Sequence, residues 1–117
     1  MKERKKAFVF DTTKGFARFV KISYSKYFNF VGCTNLKNFN AIDFTDVEVA
    51  FFLINSDDEM LQLMNVYKNV NFVFLSSKID INMEVYKMEK IIFVNHNQKK
   101  KDFILQTTFM LKELNLI

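Results

Sequence analysis

Proline and tryptophan are absent from this sequence, glycine occurs twice, and cysteine and histidine occur once each. Each shortage closes off a class of chemistry. A single cysteine, Cys33, cannot build an intramolecular disulfide framework, and it points to a reducing compartment, hence the cytoplasm. A single histidine, His96, leaves one chain unable to assemble a two-histidine metal site or a triad with a spare base. Gly15 and Gly32 lie far apart, so neither the dinucleotide fingerprint nor the phosphate-loop pattern can be written. No apolar run approaches the roughly 18 residues of a membrane span, the longest being Val49–Ile54. The charged start Met1-Lys2-Glu3-Arg4-Lys5-Lys6 is followed only by Ala7–Phe10, which is no signal peptide. Membrane partners are therefore not expected.

What is present is the balance of a globular protein: 117 residues, 50% hydrophobic and 26% charged. A chain of this size forms one domain, here residues 1–117, and buries about two-thirds of its unfolded surface. The 15 phenylalanines share AT-rich codons with the abundant Asn, Lys and Ile, so genome composition accounts for them. A net charge of +4 permits nucleic-acid binding without requiring it.

Short apolar runs alternate with amphipathic stretches, the pattern of βα units. Ala7–Phe10 reads as a buried strand ending in Asp11. Thr12 or Thr13 then caps a helix with Phe16, Phe19, Val20, Tyr24 and Tyr27 at helical spacing, and Gly15 in its first turn allows another segment close. Asn29–Thr34 reads as a second strand, and Leu36–Phe44 as a short helix or turn. Val47–Ile54, apolar on both faces after Glu48, belongs in the middle of a parallel sheet. Ser56-Asp57-Asp58-Glu59 fits a capping box, opening a helix with the stripe Met60, Leu61, Leu63, Met64 and Tyr67. Asn71–Leu75 and Ile91–Val94 complete the strands, while Lys78–Lys90 shows no clean period. Gln98–Asn115 predicts a last helix with Phe103, Ile104, Thr107, Met110, Leu111 and Leu114 on one side. The expectation is an α/β fold, a three-layer (βα)5 open parallel sheet.

The order of these elements and the strand ends at Asp11, Asn55, Ser76-Ser77 and Asn95-His96 resemble the receiver domain of bacterial two-component response regulators. That resemblance spans the chain and implies a flavodoxin-like, CheY-like sheet in the order 2-1-3-4-5, with its site at the carboxyl ends of the strands. A phosphorylatable receiver needs two acids after strand one and an Asp ending strand three, which together hold Mg²⁺ through hard oxygen ligands. It also needs a Ser or Thr after strand four and a Lys after strand five. Here Asp11 is followed by Thr12 and Thr13, strand three ends in Asn55, and Asn95-His96 stands where Lys-Pro is expected. Only Asp11 and a serine, Ser76 or Ser77, survive. The resemblance thus implies a degenerate pseudo-receiver that has lost phosphotransfer. It would be no enzyme, have no cofactor or bound metal, and signal through another protein or a second copy of itself. Asp57 and Asp58 are the alternative phospho-acceptors, which would make this a divergent Mg²⁺-dependent receiver. Their other reading is dipole stabilisation of the helix they precede.

Three further readings compete. Asp11, Thr12, Asn55, Ser76 and Asn95 form a polar top edge of the kind a flavodoxin-like small-ligand domain uses. Asp11-Thr12-Thr13-Lys14-Gly15 could hold a phosphate at a helix start, or its hydroxyls could simply cap the helix. The basic clusters Lys2/Arg4/Lys5/Lys6 and Lys99/Lys100/Lys101 fall at opposite edges of such a sheet, so no nucleic-acid groove is expected. His96 reads as a loop histidine near the ligand end, and Cys33 as an inert core thiol. The expected interaction surface is carried by Tyr86, Met88, Phe103, Phe109, Leu116 and Ile117, residues that could instead finish the core.

Overall fold

A computed structural model of the chain describes residues 4–33, 39 and 42–117. The strands are β1 (Lys5–Phe10), β2 (Phe28–Cys33), β3 (Val47–Ile54), β4 (Phe72–Ser77) and β5 (Ile91–Phe93). The helices are α1 (Gly15–Tyr24), α2 (Met60–Tyr67) and α3 (Lys100–Glu113). All strands are parallel and lie in the order β2-β1-β3-β4-β5, the expected open sheet of the flavodoxin-like class. β3 is covered on both faces, which is why it reads as an unbroken apolar run.

Strand alternation sends side chains to two separate cores. Phe8, Phe10, Phe52, Ile54 and Leu75 face α2, where Leu63 and Val66 meet them. Ala7, Val9, Val49, Phe51 and Phe74 face α1 and α3, packing on Ala17, Val20, Tyr24, Phe103 and Leu111. Aromatic rings tie neighbouring strands together. Phe10 and Phe52 are register partners stacked 4.5 Å apart. Phe51 stacks between Tyr24 at 5.9 Å and Phe74 at 5.3 Å. Such pairs add about 0.5–1.5 kcal/mol each beyond the area they bury.

Several boundaries differ from expectation. α1 ends at Tyr24, so Tyr27 lies beyond it and is exposed, while Ala17 takes a core position. Gly15 admits no close neighbour, since nothing lies within 4 Å of where its Cβ would stand. In α2, Leu61 is 73% exposed and Met64 is exposed too, while Met60, Leu63 and Tyr67 of the expected stripe face the core together with Val66. A 3-10 turn, Asp57–Glu59, precedes α2. At 3.6 residues per turn, Leu61 lies roughly 160° and Met64 about 100° around the helix from Leu63, so neither shares its buried face. The undecided segment before β5 carries only a 3-10 turn, Met83–Lys87, opened by Asn82 Oδ1 accepting from the Glu84 N–H at 2.9 Å. Three α-helices are therefore found among the described residues, fewer than one per strand. Most of the Leu36–Phe44 prediction, and the burial expected of the Cys33 side chain, lie outside the described residues. Within that stretch, Phe39 and Phe44 pack against Phe8.

The interaction residues separate. Phe103 and Leu116 are 2% and 6% exposed and finish the α1–α3 core. Ile117 and Met88 are half-buried against the two cores, and Tyr86 stacks on Phe93 at 4.6 Å. Phe109 is 61% exposed on α3, one turn beyond the equally exposed Leu105.

Candidate functional site at the carboxyl edge of the sheet

Parallel strands deliver the residues that follow them to a single edge. Asp11 leaves β1 there and Asn55 leaves β3, at the centre of the sheet. Asp11 is fully buried, and its carboxylate accepts four hydrogen bonds: Thr13 N–H at 3.0 Å, Thr13 Oγ1–H at 2.7 Å, Ala17 N–H at 3.2 Å and Asn55 Nδ2–H at 3.0 Å. Burial alone would raise the pKa of Asp11. The hydroxyl, amide and backbone donors outweigh it and hold the group below its ordinary value. The helix start is thus capped by Asp11, neither threonine doing so. The bend is made at Lys14, whose φ of 72° is left-handed and whose N–H donates to the Asp11 carbonyl at 3.1 Å. A non-glycine residue there costs about 1 kcal/mol, which the Asp11 bonds hold in place.

Asn55 is oriented by chemistry. A carboxylate only accepts, so the amide must turn Nδ2 to Asp11, and Nδ2 also lies 3.3 Å from Thr12 Oγ1. Asn55 Oδ1 is left buried without a donor among the described residues. The backbone N–H of Asn55 donates to Glu59 Oε1 at 3.2 Å. Glu59 is only 3% exposed and also accepts from Thr12 Oγ1 and Ser56 Oγ, each at 3.1 Å. The capping box is therefore not formed: the Ser56 hydroxyl serves Glu59 rather than the helix. Asp57 and Asp58 stand exposed on that same turn.

Ser76 and Ser77 part ways at the end of β4. Ser77 closes a local turn, donating to the Ile79 carbonyl at 2.7 Å and accepting its N–H at 3.1 Å. Ser76 is buried against His96, with Oγ 2.5 Å from Nδ1 and accepting the His96 N–H at 3.1 Å. Across that contact either the Ser76 hydroxyl or the Nδ1–H of the ring donates, according to the tautomer, and either way Nδ1 is engaged by Ser76. Burial and the nearby Lys78 ammonium lower the His96 pKa, which Asp11 only partly offsets, so the ring is neutral at pH 7. Asn95 is exposed and accepts the Asn97 N–H at 2.8 Å, apart from the cluster.

Glu59 and Thr13 join this site without a specific sequence signal beyond their helix-start positions. The cavity beside it, between α1 and α3, had no signal at all, since Phe16, Phe19 and Phe103 read equally well as core. No family model matches the chain, and no curated protein matches it.

Proposed function

We propose that this chain is a receiver-like domain that has lost phosphotransfer and acts in signalling or regulation through protein–protein contacts. One observation carries the reading: at the end of the central strand, where a receiver has its acceptor carboxylate, an amide donates to Asp11 at 3.0 Å. An amide is a far poorer nucleophile than a carboxylate. It also spends the Asp11 charge on a hydrogen bond that a Mg²⁺ ion would have to displace, along with three others. Ser76, in the switch position, is likewise committed to His96. The contact surface in this reading is the exposed side of α3 around Leu105 and Phe109. An amide NMR titration with Mg²⁺, then with Mg²⁺ and beryllofluoride, tests it. The expected result is no saturable shift at millimolar Mg²⁺. Saturable shifts at Asp11, Asn55–Asp58 and Ser76–Ser77 would show a working phosphorylation switch with Asp57 or Asp58 as acceptor.

A further inference from the structure

Beside the hydrogen-bonded cluster, a cavity of about 290 Å³ opens between the first turns of α1 and α3. Its walls are Phe16 and Phe19 from α1 and Phe103 from α3. Phe103 meets Phe16 edge-on at 6.0 Å and Phe19 at 5.5 Å. Leu53 of β3 also lines it; this side chain is 1% exposed yet belongs to neither of the two core clusters. The rim is polar: Thr13, Lys78, His96, Gln98 and Lys100. No acid lines the cavity, and among the described residues neither lysine makes an ion pair. Lys100 Nζ instead lies 5.6 Å from the centre of the Phe19 ring. Ser76 occupies His96 Nδ1, so Nε2 is the ring atom left for a ligand.

We infer that this cavity binds a small anion with a planar apolar body, of the class of aromatic carboxylates and aryl phosphates. The three phenylalanines and Leu53 take the ring by burial and edge contacts. The two lysines take the charge, and Gln98 and the imidazole supply hydrogen bonds around it. Small-molecule pockets span ~300–1,000 Å³, so this one suits a single-ring compound and excludes a dinucleotide. The site touches the Asp11–Asn55 cluster only at Thr13, whose two donors serve Asp11, and it needs no metal, so it stands or falls independently of the receiver reading.

The test is an amide NMR titration of the full chain with benzoate and with phenyl phosphate, in the absence of Mg²⁺. Benzyl alcohol and inorganic phosphate serve as probes of each half of the ligand. Saturable shifts are expected at Thr13, Gly15, Phe16, Leu53, His96, Gln98 and Lys100, with each half-probe at least about tenfold weaker. Lys100→Gln should weaken benzoate binding severalfold. Gly15 lines the cavity and nothing lies within 4 Å of where its Cβ would stand, so Gly15→Leu adds bulk at the rim without a clash, and the variant should stay folded and lose binding. Three results would overturn the inference: no saturable shift with either aromatic anion, equal binding by benzyl alcohol or inorganic phosphate, or unchanged binding in folded Gly15→Leu.

Discussion

At the ends of β1 and β3 both buried carboxylates are answered by protein donors, Asp11 by four and Glu59 by three. Beside them, between the first turns of α1 and α3, the same sheet edge holds two lysines and an imidazole around an open apolar cavity, with no acid among its lining residues. The difference follows from position. β1 and β3 are central strands, and the carboxylates Asp11 and Glu59 that follow them are buried and must find partners at once. β5 is a three-residue edge strand, and the chain after it runs over the surface, where charge can stay in water. One edge thus carries a closed network and an open site side by side.

The sharpest way to break this contrast is Asp11→Ala. It strands the donors of Thr13, Ala17 and Asn55, and should cost about 3 kcal/mol, read from urea denaturation midpoints. A loss under about 1 kcal/mol would mean that the network is not structural. Next comes Asn55→Asp, which sets a second carboxylate where a donor now lies 3.0 Å from Asp11. A loss of about 2 kcal/mol is expected at pH 7, recovered on mild acidification as the two groups share a proton.

The open half should respond more weakly. Ser76→Ala leaves the His96 N–H and Nδ1 without their partner and should cost about 1 kcal/mol. The halves also titrate in different windows. His96 has a lowered pKa in the fold, so the unfolded chain takes up its proton first. Its contribution is complete above about pH 6.5 and declines as pH falls below that value. His96→Gln should flatten that part of a stability–pH curve. It should leave untouched the later decline below about pH 4, where Asp11, also lowered, takes up its proton. The smallest effects belong to Lys78→Gln and Lys100→Gln, each within about 0.5 kcal/mol of the parent by thermal or urea melts. A larger loss would show that these lysines hold the fold rather than face a ligand.

Much of this was legible in advance, and for stated reasons. Val47–Ile54 announced a central strand because burial on both faces leaves no polar alternation. The stripe Phe103, Thr107 and Leu111 announced the last helix, because a 3.6-residue period survives in a long element with one buried side. Leu61 and Met64 misled because a run of apolar residues is wider than the face it buries: they sit roughly 160° and 100° around the helix from Leu63. Asp11, Asn55 and Ser76 were legible as strand ends. Glu59 was legible only as a cap, since its partners Thr12 and Asn55 reach it across the sheet edge.

By itself, then, the sequence determined the class of the fold and the residues at the strand ends, because apolar periodicity and chain order act locally. It also excluded disulfide, two-histidine and glycine-loop chemistry, because composition alone decides those. Only the tertiary structure decided which hydroxyls, amides and carboxylates satisfy one another, and that Phe103 is core while Phe109 is surface. It alone placed Leu53, three phenylalanines and two lysines around one cavity. Those relations join residues far apart in the chain, and they arise only when helices on one face of a parallel sheet bring their first turns together.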